Sequence, residues 1–311
     1  MGKSVSIILL NYNTTNDTID CIESLSKIHY NNYNIIVIDN KSRKEEIVKL
    51  EEYLKDKGIC KLIKSEENGG FAKGNNLGIR YAQSINSDYV LLLNSDTEVE
   101  PDFLGYLVDS IDENPNKTAL AIGKIKYFSE KNKIWYGGGT IDWNKYIGFH
   151  FGEGDYDKEE YNRKRSVSFA TGCAILINMS LNIDLQLPEN YFMYFEDVDY
   201  SARMIEAGYE IIYEPNSVIY HKVGSSGGGE GSAFTVEWAN RGRLIFMEKY
   251  KYKCSAWKFN IIKLKFYITR FIKYILFFIK RDPEKAKALY KGVKSGRNYV
   301  KSNTLSSNNY I

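Results

Sequence analysis

The chain predicts an α/β fold: a mixed, mostly parallel sheet flanked by helices, with a helical extension at its C-terminal end. Three observations predict it. Runs dominated by apolar residues recur at 5–10, 35–38, 61–63 and 89–93, and continuous apolar runs of this length suit strands buried on both faces. Helical patterns at 15–28, 44–57 and 71–84 alternate with them, and strand alternating with helix builds βαβ units around a parallel sheet. Acidic and amide residues stand at or just past the ends of two runs, Asp39-Asn40 and Asn94-Ser95-Asp96. In open α/β sheets that edge binds ligands.

Composition narrows the class. With 311 residues, 43% hydrophobic and 26% charged, the chain can bury a full core in one large domain with an appendage, which excludes disorder as the default. A net charge of +3 gives no whole-chain reason to expect nucleic acid. Cys21, Cys60, Cys173 and Cys254 show neither CxxC nor zinc-ligand spacing. They read as reduced thiols, consistent with cytosol. The run from Val5 to Leu10 lacks a basic leader and the length of a signal sequence, so it is expected to be a first strand.

Further along, a short helix follows Pro101 and reaches Ile111, and a tract with Trp135, Gly137-Gly138-Gly139 and Trp143 reads as hairpins and loops. Residues 166–178 read as strand interrupted at Thr171-Gly172. A helix begins near Asp197 and stops at Gly208, a typical C-terminal stop. Short strands are expected at 209–213 and 218–220, then a glycine and serine loop at 224–231 suited to a lid. Basic helix follows.

Four blocks carry candidate chemistry. Asp39, one residue past a buried run, can accept hydrogen bonds from a nucleobase imide or a ribose hydroxyl, or it can cap the next helix. In Asn68-Gly69-Gly70-Phe71 the paired glycines permit positive φ and open a helix whose N-terminus favours a diphosphate or a sugar. Asp96 can coordinate a divalent cation together with phosphate oxygens. Alternatively it and the acids after it, Glu98 and Glu100, simply mark a helix N-terminus. Glu196-Asp197-Val198-Asp199 follows an aromatic stretch. On a helix Glu196 and Asp199 share a face, and Asp199 can pair with Arg203. Asp197 then points elsewhere, where aromatic walls would raise its pKa towards that of a general base. His221, ending a strand, can complete a metal shell or touch a phosphate, although a lone histidine is more often a buried hydrogen-bonding residue.

In order and spacing these blocks resemble family 2 glycosyltransferases of GT-A fold, particularly their rhamnosyltransferase-like branch. The residues carrying the resemblance are 6–13, Val37 to Ser42, Asn68 to Asn76, Leu92 to Thr97, Ala170-Thr171-Gly172 and Phe195 to Asp199. The resemblance implies an inverting transfer of a sugar from a nucleoside diphosphate donor to a hydroxyl of a glycan or lipid-linked acceptor. It implies donor contacts from Asn11, Asn13, Asp39, Asn68, Gly69, Gly70, Lys73, Asn75, Asn94, Asp96 and Arg243, with acceptor contacts from Thr171, Gly172 and Asp199. Asp197 is the implied base with Glu196 beside it, and Asp96 and His221 the implied ligands of Mg²⁺ or Mn²⁺. Many members carry Asp-x-Asp where this chain has Asn94-Ser95-Asp96, so one carboxylate carries most of the metal binding. The expected organisation is a catalytic domain at 1–250, with a donor half at about 1–100 and an acceptor half at about 101–250, and a basic amphipathic extension at 251–311. The alternatives are a catalytically silent nucleotide-sugar or glycan-binding module and a nucleotidyltransferase, although residues 6–13 lack the glycine-rich basic phosphate loop with which the latter usually opens.

Within the extension, Lys258, Lys263, Lys265, Arg270, Lys273 and Lys280 fall on one arc of a helix, opposite Leu264, Ile268, Phe271, Ile275 and Phe278. Residues 257–280 are therefore expected to lie on an anionic membrane surface, at the inner face of the cell membrane of a cytoplasmic protein. The bland alternative is a helix packed on the catalytic domain or across a homodimer.

Overall fold

A computed structural model describes residues 2–223 and 231–307. The glycine and serine loop expected as a lid lies almost wholly outside the described residues. The chain forms two compact units: the first is Met1–Ile141, Gly148–Phe192 and Glu196–Ser226, the second Asp142–Ile147, Met193–Phe195 and Gly227–Ile311.

The first unit opens as its apolar runs dictate. Strands β1 (Val5–Asn11), β2 (Tyr33–Asp39), β3 (Cys60–Lys64) and β4 (Tyr89–Asn94) alternate with helices α1 (Thr15–Leu25), α2 (Lys44–Leu54) and α3 (Gly70–Ser84). β1 pairs in parallel with β2 and with β4, and β2 with β3. Ile7, Ile8, Ile36, Leu91 and Leu92 are wholly buried, as strands covered on both faces require. The chain therefore runs outwards from β1 to β3 and then resumes on the other side of β1 at β4, a reversal of strand order that opens a crevice at the strand ends. The register sets Asn11 beside Asp39 and Leu10 beside Asn94 at that edge.

The sheet continues through β5 (Thr97–Val99), helix α4 (Phe103–Asp112), β6 (Thr118–Tyr127), β7 (Ile134–Tyr136), β8 (Gly139–Asp142), β9 (Ile147–His150), β10 (Arg165–Val167), β11 (Ala174–Asn178), helix α5 (Glu196–Glu206) and β12 (Glu210–His221). Its order is β10-β12-β6-β11-β4-β1-β2-β3, with β5 on β12 and β7 on β6; β8 and β9 form a separate pair. Two expectations need correction. The two short strands expected at 209–213 and 218–220 are one strand, β12, whose pairing with β6 shifts register between Glu214 and Val218. Pro215 sits in that irregularity, where a missing N–H costs no ladder bond. The acids after Asp96 do not open a helix directly: Glu98 belongs to β5, which pairs antiparallel with β12.

The second unit includes α6 (Ala233–Lys249), α7 (Ala256–Ile279) and α8 (Pro283–Ser307). The helix Ala233–Lys249 thus falls in this unit, ahead of the boundary expected at 250. Gly292 and Gly296, four apart on α8, let its backbone lie against α6. A Cβ at Gly292 would stand 2.2 Å from the Glu237 carbonyl oxygen, and one at Gly296 3.0 Å from that of Arg241.

Candidate active site

The first turn of α5 gathers three acids, Glu196, Asp197 and Asp199. Two consecutive non-glycine residues, Tyr194 and Phe195, take left-handed φ of 66° and 76° immediately before it. Such conformations cost about 1–3 kcal/mol each and gather at functional sites. The Asp197 carboxylate accepts the Gly172 N–H at 2.9 Å and the Val198 N–H at 2.8 Å. The interruption at Thr171-Gly172 therefore presents a backbone donor to the acid. Burial raises the Asp197 pKa, while the Gly172 and Val198 N–H bonds and the Thr171 side chain pull the other way. Glu196 is buried, with no hydrogen-bond partner for Oε2 among the described residues. Burial, and then the charge of Asp197, pushes its carboxyl well above the usual range. N–H bonds favour a carboxylate and an unpartnered buried oxygen disfavours one, so the pair is unequal, with Asp197 the more readily ionised member.

Asp199 is fully buried. The expected Asp199–Arg203 pair is not the one formed: Arg203 bonds Asp184 at 2.8 Å and the Gln186 carbonyl. Partners in the segment before α5 outcompete the i, i+4 neighbour.

Asp96 and His221 come together at the end of β12. His221 Nε2 lies 3.2 Å from Asp96 Oδ1, and both side chains are buried. The Lys222 N–H bonds the Asp96 carbonyl at 2.8 Å, and the Lys222 ammonium reaches Asp17 and Asp20 of α1. Burial lowers the His221 pKa, but Cys173 and the Asp96 carboxylate outweigh it and hold it at about 10. Trp135 stands edge-on to both His221 and His150, with ring centroids 4.6 and 4.7 Å away.

A carboxylate and an imidazole would hold a divalent cation such as Mn²⁺ once the metal displaces the proton that His221 otherwise keeps. The 3.2 Å contact of His221 Nε2 with Asp96 Oδ1 is an ion pair of hydrogen-bond length, and a cation held by both would take the place of the proton between them. The Nδ1 atom of His221 is buried without a partner among the described residues. No cluster of three or more His, Cys, Asp or Glu suited to a metal is found among the described residues. Asp96 and His221 therefore supply two positions, and diphosphate oxygens and water would fill the rest.

At the crevice edge Asp39 accepts the Asn11 amide at 2.9 Å and the Ser42 N–H at 3.1 Å. Asn11 accepts the Thr18 hydroxyl at 2.9 Å, and Asn13 accepts the Arg43 N–H at 2.8 Å. Asp39 thus holds the turn into α2, with a lone pair on each oxygen left for a ligand. Asn94 ends β4 beside Cys173, whose carbonyl accepts its N–H at 2.8 Å.

The glycine turn differs from an open phosphate cradle. The Gly69 N–H goes to Asn40 Oδ1 at 3.2 Å, the Gly70 N–H to Asn68 Oδ1 at 3.0 Å and the Phe71 N–H to the Phe192 carbonyl at 2.8 Å. Asn40 also donates to Asn68 and to the Gly70 carbonyl. Gly70 has φ of 78°, and a Cβ there would stand 2.0 Å from the Phe192 oxygen. Internal partners occupy these N–H groups, so the turn clamps the Phe192 segment leading towards Glu196. Asn40, named in sequence only as the amide after Asp39, holds this turn together through partners some thirty residues on.

Lys73 is exposed and paired with Glu67, and Asn75 bonds the Phe71 carbonyl within α3. Arg243 belongs to the second unit, where it donates to the Lys145 carbonyl at 3.0 and 2.7 Å.

Known proteins give this geometry its context. The family model of glycosyl transferase family 2 matches residues 6–185. The chain is 25% identical over 276 residues to a poly-beta-1,6-N-acetyl-D-glucosamine synthase of Staphylococcus aureus, covering 89% of this chain and 60% of that protein. A Staphylococcus epidermidis protein of the same name is 24% identical over 264 residues, covering 85% and 60%. The chain thus spans 60% of the length of these relatives. Among solved structures, GalNAc-T7 with UDP, GalNAc and Mn²⁺ superposes with a TM-score of 0.63 at 19% identity, covering 80% of this chain and 49% of that one. The mannosyltransferase PcManGT of Pyrobaculum calidifontis, with GDP-Man and Mn²⁺, gives 0.58 at 14% identity, covering 100% and 81%. S. aureus TarS 1-349 with UDP gives 0.52 at 17%, covering 78% and 65%. The three structures share the GT-A fold seen here.

Proposed function

The chain belongs to glycosyl transferase family 2, and on that premise we propose that it transfers a sugar, with inversion, from a nucleoside diphosphate donor to a hydroxyl of a glycan or lipid-linked acceptor. The observation that carries this reading is the unequal carboxyl pair, Asp197 bonded by two N–H groups and Glu196 buried with an oxygen unpartnered among the described residues. Asp197 takes the acceptor proton as the acceptor oxygen attacks the anomeric carbon from the face opposite the diphosphate. The bond from that carbon to the diphosphate oxygen breaks in the same displacement. Glu196, kept neutral, leaves a single negative charge beside the attacking oxygen. A divalent cation at Asp96 and His221 would neutralise charge on the departing diphosphate.

The UDP held by GalNAc-T7 and by TarS supports a uridine-linked hexose as donor. Thymidine-linked rhamnose is the competing donor, offered by the Asn94-Ser95-Asp96 form of the strand end. Cell-surface polysaccharide synthesis, with the protein peripheral at the inner face of the cell membrane, is the setting we assign. The poly-beta-1,6-N-acetyl-D-glucosamine synthases it resembles support the polymer class.

The test is a panel of nucleotide sugars, scored first for thermal stabilisation with and without Mn²⁺ and then for transfer. Asp197→Asn should keep the donor-induced shift and lose transfer by about 10²–10⁴-fold. Near wild-type turnover in that variant removes Asp197 as the base. No shift with any donor favours the silent module instead.

A further inference from the structure

The second unit exposes an apolar face that none of its own described elements covers. On α7, Trp257, Leu264, Ile268, Phe271, Ile275 and Ile279 are between 43% and 71% exposed. At 100° per residue these six lie within an arc of about 80°. The opposite side holds Phe259, Ile262 and Phe266, all buried.

The cations of the arc differ in what they meet. Lys263 is 2.7 Å from Glu248, and Arg270 bonds Asn240 at 3.0 Å, so both are turned towards α6. Lys258 and Lys265 are exposed and both lie along one edge of the apolar face, about 80–100° around the helix from its centre. Lys273 and Lys280, also exposed, lie further round, bordering a groove floored by Ile272, Leu276 and Phe277.

Charge selects the occupant. From 249 to 281 the chain carries ten Lys and Arg and no Asp or Glu. A second copy would bring the same sign against itself, whereas an anionic lipid surface is complementary in charge and apolar beneath its headgroups. No described helix is long and apolar enough to cross a membrane. A helix of 24 residues spans about 36 Å and can lie in the surface plane.

We propose that α7 inserts its Trp257–Ile279 face shallowly into an anionic lipid surface, with Lys258 and Lys265 at headgroup level. Apolar insertion carries the binding and the basic side chains of the helix select the charge. This deepens the peripheral setting proposed above and rests on it, but it does not depend on sugar transfer.

The experiment is flotation of the full chain with phosphatidylcholine vesicles, with and without phosphatidylglycerol. Binding should be at least about ten-fold stronger with the anionic lipid. The double substitution Leu264→Glu and Phe271→Glu removes two exposed side chains and should weaken binding roughly hundred-fold or more, with far-UV circular dichroism and donor-induced thermal shifts unchanged. No flotation on either vesicle, or equal flotation of the double variant, overturns the proposal. So does a dimer in light scattering that the double variant dissociates while vesicles bind nothing, because the face is then an interface between copies. Flotation without transfer would leave this inference standing and remove the transferase reading.

Discussion

Asp96 and His221 stand 3.2 Å apart because the residue after Asp96, Thr97, is the direct antiparallel partner of His221 across β5 and β12. The Lys222 N–H closes the arrangement on the Asp96 carbonyl. A pair held by backbone on both sides needs little rearrangement to receive a cation.

His221→Ala and Asp96→Asn should each weaken Mn²⁺ binding by at least about ten-fold, since each removes one of two protein ligands. Electron paramagnetic resonance titration of free Mn²⁺ reads this directly. Unchanged affinity in both variants would mean the cation is held elsewhere.

The carboxyl pair predicts a pH profile. Asp197 acts as its anion, so transfer should rise with pH through its raised pKa, giving an acid limb above the ordinary aspartate range. Glu196→Gln imitates the protonated acid and should keep most of kcat, whereas Asp197→Asn abolishes the limb.

The same pair affects stability. A carboxyl whose folded pKa is raised makes the fold lose stability as pH climbs from the unfolded value towards the folded one, because only the unfolded chain ionises freely there. Glu196 is such a group. Glu196→Gln should therefore match wild type in strong acid and gain on it towards neutral pH, as read from denaturant midpoints. A variant losing ground as pH rises would contradict a neutral Glu196.

Asn40→Ala leaves the Gly69 N–H and the Gly70 carbonyl without their side-chain partner in a buried setting. The expected cost is about 2–3 kcal/mol, measured by urea unfolding. Gly70→Ala should be worse than a left-handed alanine alone, because the new methyl meets the Phe192 carbonyl.

Gly292→Val drives α8 from the Glu237 backbone and should destabilise the second unit by about 1–3 kcal/mol. Donor-induced stabilisation should persist, since every residue of the Asn40 turn and the α5 acids lies in the first unit.

The parallel half of the sheet was legible because its strands are apolar enough to declare burial without reference to partners. β5 was not, since Thr97-Glu98-Val99 has the acid of a helix start and becomes strand only against Ile219 to His221. Pro215-Asn216-Ser217 imitates a turn, and the register shift against β6 absorbs it without ending β12. Asp39, Asp96, Asp197 and His221 could be found one side chain at a time, because their chemistry shows in residue type and position. The clamping role of Asn40 and the glycines of α8 escape such reading because those roles exist only against distant backbone. The four-residue spacing of Gly292 and Gly296 was the one local signal that could have found the latter.

The pairing of β5 with β12 also works as an address. Successive side chains on a strand point to opposite faces, so a slip of one residue would turn His221 away from Asp96 and present Tyr220 or Lys222 instead. The irregularity at Glu214 to Val218 lies upstream of that pairing, so a residue inserted there could be absorbed, whereas one inserted between Ile219 and His221 could not. Tolerance to insertion should therefore change abruptly within a single strand, and a scan of single-alanine insertions along β12 would draw the limits of the site without any ligand.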